Sequence, residues 1–364
     1  MPGTGLSVRS LTVRAVAAPM KLPLQTSTGA IAIAPLVLID LETNEGIVGR
    51  SYLFAVAKAN LKPIVALVEA MGVLIAGDSV APFDIEKKLR QKYTLLGVHN
   101  IVLFAMSGID MAAWDAVALS LQQPLVSVLG GRPRPVRAYN SKGLGVMPLP
   151  KLAKEAEALI AEGFSALKVR LGRPDAKDDI AAVRAVRKTV GDDITLMCDF
   201  NQALTVNEAI RRGRMLDDEG LHWIEEPTRA DDFEGNRRIA DALETPVQIG
   251  ENFMGPEQMA QALREGACDF VMPDVQRIGG VTGWMRASAL AQGAGMEMSS
   301  HLFPEVSCHL LGVTPTCHWL EYVDWAAPIL EEPIAIEDGF AVIPTRPGNG
   351  LSWSAAAVER FRMR

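Results

Sequence analysis

Four cysteines in 364 residues, Cys198, Cys268, Cys308 and Cys317, lack the paired spacing of a zinc site. Each lies in or beside an apolar run, which fits buried free thiols in a reducing compartment and excludes a disulfide framework. Basic blocks are also missing. Lysine and arginine total 36 against 43 acidic residues, both signs are scattered, and the formal charge is −7. That balance argues against a nucleic-acid partner and for a small or already neutralised ligand. No uninterrupted apolar run reaches membrane-spanning length, so no membrane partner is expected. The opening MPGTGLSVRSLTVRAVAAP alternates apolar and polar residues, unlike the continuous core of a signal peptide. The expected location is the cytoplasm. Low-complexity segments and free linkers are absent too.

What is present divides into two regimes. A chain of this length fits two domains, one of them a barrel. LSVRSLTVRAV has strand-like alternation, and APLVLIDLET and GIVGRSYLFA read as two more strands joined by the turn TNEG. The Gly/Pro/Thr-rich stretch around residues 20–30 reads as a long loop, either a lid over a site or a plain surface connection. Residues 57–130 are helical by period, and the segment containing GIDMAAWDA is apolar almost all round, hence buried. Residues 1–130 therefore form an α+β module. From GGRPRPVRAYN onward, strand and helix patterns alternate through residue 324, and the Gly/Pro-rich 325–364 is expected to return to the first module.

Within the second regime, short apolar runs end repeatedly in ionisable or amide residues, about 20 to 30 residues apart, the length of one strand-plus-helix unit. In order these are Lys168 and Arg170, Asp199 and Asn201, Glu225 and Glu226, Glu251, Asp274, His301 and Glu321. Polar residues closing successive buried strands are what the catalytic face of a parallel (β/α) barrel requires. Asp199, Glu225 and Glu251 make a hard oxygen site suited to Mg²⁺. Taken singly, each acid reads equally well as a helix cap or an arginine partner. Lys168 and Arg170 share a strand face, and if that face is interior they must point at the acids or at an anionic substrate. A metal nearby would lower the Lys168 pKa. Asp274, one unit before His301, can fix its tautomer and raise its basicity, making a general base. Glu321, kept neutral, can donate to a developing oxyanion. His99, His222, His309 and His318 have no such company and read as ordinary. The set suits abstraction of a weakly acidic proton next to a carboxylate.

The segments ALKVRLG, CDFNQ, WIEEPT, IGEN, PDVQRIGGVTGW, SSHLF and HWLE resemble the mandelate racemase subgroup of the enolase superfamily. APLVLIDL, SYLFA and GIDMAAWDA extend the likeness over nearly the whole chain. The resemblance implies a modified (β/α)7β TIM-like barrel, an N-terminal α+β capping domain, and Mg²⁺ held by Asp199, Glu225 and Glu251. It implies Lys168 on the substrate carboxylate, His301–Asp274 as general base, Glu321 as electrophilic acid, and Ser141 and Asn201 at the substrate. Leu22 to Thr28, including Thr26, and Tyr52 and Phe54 would cover it. A small-molecule carboxylate substrate and a homo-oligomer follow from the same likeness. One position departs: the racemase pattern has a second lysine where this chain has Arg170. Inversion needs a base on each face, and a guanidinium with a pKa above about 12 is a poor one. One-base chemistry is therefore expected, His301 removing the α-proton of a 2-hydroxycarboxylate and a β-hydroxyl then leaving. The alternative is racemisation.

Overall fold

The computed structural model describes residues 5–26 and 29–363. Three antiparallel strands open the chain: β1 (Val8–Thr26), β2 (Gly29–Thr43) and β3 (Val48–Phe54), in the order β1-β2-β3. Residues 34–39 of β2 are buried without a break, because this central strand is covered on both faces. Helices α1 (Leu61–Ile75), α2 (Pro82–Tyr93) and α3 (Asn100–Ser120) pack behind the sheet. Small residues let α3 sit close: a Cβ on Gly49 of β3 would lie 2.0 Å from the Ala112 carbonyl oxygen. No uninterrupted apolar run spans a membrane, but the 21-residue α3, broken by Ser107 and Asp110, is long and apolar enough as a helix to do so. However, 89% of its most apolar window is buried inside the protein, where it serves as core.

Of the stretch around residues 20–30, the described residues 20–26 and 29–30 are strand and not loop. β1 pairs with β2 out to Thr26 opposite Gly29, with a register shift between Pro19 and Leu24. Proline at 19 and 23 suggested a loop, but β1 is an edge strand, where a missing N–H is tolerated. The hairpin tip reaches the barrel, the Val146 N–H donating to the Gln25 carbonyl at 3.1 Å. Only glycine fits at 145, where a Cβ would meet that carbonyl at 2.4 Å. Ser27 and Thr28, which belong to the predicted cover, lie outside the described residues.

The second regime is a parallel barrel. Its strands are β4 (Pro135–Asn140), β5 (Ala166–Arg170), β6 (Thr195–Asp199), β7 (Leu221–Glu225), β8 (Val247–Ile249) and β9 (Phe270–Val271), each hydrogen-bonded to the next. Bridges from Val271 to Met298 and from Met298 to Cys317 lead to β10 (Leu320–Tyr322), which pairs back onto β4. Helices fill the connections, so the ring is a (β/α)7β barrel under an N-terminal cap. The final segment first adds β11 (Ile336–Glu337) and β12 (Phe340–Val342) beside β4. It then runs back to the cap, where the Trp353 indole donates to Asp40 at 2.7 Å and the Met363 N–H to the Ala15 carbonyl at 2.9 Å.

Candidate active site

The C-terminal ends of the barrel strands converge on a cavity of about 140 Å³. Lys168, Arg170, Asp199, Asn201, Glu251, His301 and Glu321 line its polar side, and Leu24, Phe54, Val56, Leu302 and Trp325 its apolar side. A larger groove of about 570 Å³ lies in the cap among Val13, Lys58 and Lys62, far from these groups, so size does not locate the chemistry.

Asp199 and Glu225 close β6 and β7, and Glu251 follows β8 by two residues. Their ligand atoms lie within 4.8 Å of one another, so the three offer one coordination site. Lys168 on β5 points into the same space, its Nζ 2.5 Å from Glu225, 2.9 Å from Glu321 and 3.2 Å from Asp199. Burial alone would lower the Lys168 pKa, but Glu225, Glu321 and Asp199 outweigh it and hold the ammonium well above its usual value. The expected lowering is therefore not what the protein's own charges produce. Glu225 is pushed up to about 8 by burial, against Lys168 and with the repulsion of Asp199, Glu321 and Glu251. Glu226 is raised as well, by burial and Glu251, and its Oε2 is buried without a partner. Crowded acids repelling one another, with oxygen ligands and few donors, fit a divalent hard cation.

Across the cavity, Asp274 does two things. Its Oδ1 accepts from the Gln276 and Arg277 N–H groups, capping the helix Val275–Ile278, while Oδ2 lies 2.7 Å from His301 Nδ1. His301 Nε2 faces Glu251 at 3.4 Å and Glu321 at 3.8 Å. Burial lowers the imidazole pKa, but Glu251, Glu321 and Asp274 raise it further, to about 9. After His301 the backbone turns sharply, Leu302 and Phe303 adopting φ of 50° and 49°. Non-glycine residues in this region are strained, and such strain clusters at functional sites. Here it aims the Leu302 N–H at Glu321 Oε2, 2.9 Å away.

Glu321 departs from expectation. Burial favours its neutral form, yet Lys168 and His301 hold it well below the usual carboxylate range, so in this state it accepts hydrogen bonds only. Arg170 is tied down: its guanidinium donates to the Ser141 carbonyl at 3.1 Å, the Gly143 carbonyl at 2.7 Å and Ser141 Oγ at 3.2 Å. Ser141 donates to Glu321 at 2.7 Å, and the Asn201 amide to Asp199 at 3.0 Å. Three expected substrate contacts do not line the cavity. Ser141 is buried behind Glu321, the Tyr52 hydroxyl is committed to Glu305 at 2.7 Å beside a separate small void, and Thr26 bonds the Gly29 carbonyl. Sequence reasoning missed Arg277, which lines the cavity and bonds Asn252, and Trp325. Arg277 lies within the quoted PDVQRIGG, but only the fold turns it inward.

A carboxylate triad facing a His–Asp dyad at the mouth of a capped (β/α)7β barrel defines an enolase-superfamily site. Residues 8–130 match the mandelate racemase / muconate lactonizing enzyme N-terminal domain, and residues 151–357 the enolase C-terminal domain-like family. The chain belongs to the mandelate racemase / muconate lactonizing enzyme family, and its cofactor is Mg²⁺. It is similar to the L-talarate/galactarate dehydratase of Salmonella typhimurium, 32% identical over 327 residues, 88% of this chain and 81% of that one. A magnesium-bound enolase from the alpha proteobacterium bal199 is 46% identical with a TM-score of 0.97, covering 98% of this chain and 100% of that one. An enolase from Bradyrhizobium complexed with magnesium and mandelic acid is 42% identical with a TM-score of 0.95, covering 99% of each chain. The protein is an enzyme, a lyase or isomerase of this superfamily.

Proposed function

We propose that the enzyme dehydrates an acid sugar, removing the α-proton of a 2-hydroxycarboxylate and then the β-hydroxyl. The asymmetry across the cavity carries this reading: His301 with Asp274 stands on one side and Arg170, locked onto Ser141 and Gly143, on the other. His301 Nε2 takes the proton from C2, and the C–H electron pair moves into the carboxylate to form an enediolate. The pair then returns to form the C2–C3 double bond as the C3 hydroxyl leaves with the imidazolium proton as water. The enol ketonises to a 2-keto-3-deoxy acid. Lys168 and Asn201 orient the substrate carboxylate and Ser141 supports Glu321. A carboxylate that draws Lys168 to itself leaves Glu321 less stabilised as an anion, favouring its proton-donating form. Asp199, Glu225 and Glu251 would hold Mg²⁺, which would supply positive charge beside the substrate carboxylate and offset Glu251, which otherwise favours protonated His301. Acid-sugar dehydratases among the relatives support the reading. The enzyme is further taken as cytoplasmic and homo-oligomeric; fractionation of the source cells tests the first and light scattering of the purified protein the second.

Racemisation is the second reading, favoured by the apolar wall of Leu24, Phe54 and Trp325 and by the mandelate-bound relative. Incubation in D₂O with galactarate, talarate and each mandelate enantiomer, followed by proton NMR, separates the two. A keto product from one sugar, or exchange with one enantiomer only, supports one-base chemistry. Inversion of both enantiomers overturns it.

A further inference from the structure

Three lysine or arginine side chains line the catalytic cavity, and two of them are already committed. Lys168 meets Glu225, Glu321 and Asp199, while Arg170 is locked onto Ser141 and Gly143. Arg277 is the third. Among the described residues its guanidinium makes one hydrogen bond, to Asn252, and no ion pair, and its Nε is buried without a partner. The acids around it have other partners. Asp274 binds His301 and the Gln276 and Arg277 N–H groups, and Glu226 and Glu251 accept from the Asn252 amide at 2.7 Å and 3.2 Å.

We propose that Arg277 receives a second carboxylate of the substrate, so that the enzyme selects an acid sugar carboxylated at both ends over one with a single carboxylate. The inference rests on the acid-sugar reading of the site. Placement is the first support. The Arg277 N–H donates to Asp274 Oδ1 at 3.2 Å and its carbonyl accepts from the Gly255 N–H at 3.0 Å. The residue is thus anchored between the segment that holds the dyad and the loop after β8. Its guanidinium carbon lies 5.8 Å from the centre of the Phe104 ring, which α3 of the cap supplies. Ring and amide steady the planar fork, which still has N–H donors to offer the cavity.

Charge is the second support. A partly buried guanidinium is costly without an anion, and a carboxylate matches its fork in bidentate fashion. The rest of the lining is the third. Leu24, Phe54, Val56, Leu302 and Trp325 carry no charge, and the Asn201 amide is given to Asp199. With Lys168 on the reacting carboxylate, discrimination at the far end of the substrate falls to Arg277. A purely structural role competes with this one: Arg277 would only hold Asn252, whose amide reaches Glu226 and Glu251. That role makes no distinction between ligands that differ only at their far end.

The test measures affinity by isothermal titration calorimetry of Mg²⁺-loaded protein, in a His301→Asn background so that turnover does not interfere. Galactarate with galactonate and glucarate with gluconate are the probes, the members of each pair differing only in carboxylate against hydroxymethyl at C6. At least one diacid is expected to bind about tenfold or more tighter than its monoacid partner. Arg277→Gln should remove that preference while changing monoacid affinity less than about threefold, and Arg277→Lys, which keeps the charge, should retain part of it. Equal affinities within both pairs, a preference that survives Arg277→Gln, an equal loss of diacid and monoacid in that variant, or no binding of any probe overturns the proposal. The dehydratase reading fails by a separate readout, the absence of a 2-keto acid when wild type meets these sugars. A keto product formed from diacid and monoacid with equal kcat/KM would keep that reading and overturn this inference alone.

Discussion

Two layers of the barrel use the same strands on opposite principles. At the C-terminal end, Lys168, Asp199, Glu225, Glu321 and His301 are almost wholly buried and held apart or together by charge. Beneath them in the barrel interior, Tyr139, Trp223 and Trp319 pack edge to face, with ring centroids 5.4 Å and 6.5 Å from Tyr139. Trp223 joins the two, its indole donating to Glu225 at 3.1 Å. The aromatic floor keeps water out from below, which strengthens every electrostatic interaction above it. Charge is tolerated in one layer because packing is dense in the other.

Removing the base should break the comparison most sharply. His301→Asn is expected to slow α-proton exchange in D₂O by about 10³-fold while leaving thermal stability near wild type. Exchange within a few fold of wild type would assign the base elsewhere. Trp223→Ala tests the floor. It should cost about 3 kcal/mol or more in urea unfolding and also weaken Mg²⁺ binding through Glu225. A loss below about 1 kcal/mol would mean that the aromatic layer is not structural.

The seam between cap and barrel supplies a buried acid with, among the described residues, no ammonium or guanidinium bonded to it. Asp110 of α3 accepts from the Thr282 N–H at 3.0 Å and its hydroxyl at 2.5 Å. Burial raises its pKa to about 7, against those Thr282 hydrogen bonds and helped by Glu86. The folded state thus holds a proton that the unfolded chain releases above about pH 4. This group's stability contribution is complete below pH 4 and falls as pH rises to about 7. The stability of Asp110→Asn relative to wild type should therefore climb between pH 4 and 7, by on the order of 4 kcal/mol, and stay flat above. A pH-independent difference in melting temperature would refute this. The smallest effect is expected of Arg170→Lys, which gives up the fork between Ser141 and Gly143 for about 1 kcal/mol. An amine there should open slow exchange on the second face of mandelate, measured with each enantiomer. Unchanged face selectivity would show that position 170 is not aimed at that face.

The spacing of ionisable strand ends from Lys168 to Glu321 was legible because parallel barrels force buried strands to end in polar groups at one face. The strand at residues 20–26 was not, since proline marks loops unless the strand is at an edge, and edges are set by neighbours distant in sequence. Tyr52 was likewise misplaced: strand periodicity gives its face, but Glu305, 253 residues away, takes its hydroxyl.

By itself the sequence determined the fold class, the order of units and which side chains end each strand, because period and spacing are local properties. Only the tertiary structure decided that Lys168 touches three carboxylates, that Glu321 is held ionised, that Arg277 turns inward and that His222 meets His318. Those outcomes depend on closing the barrel, which sets the distances between residues 20 to 150 positions apart and so fixes the Coulomb energies among them.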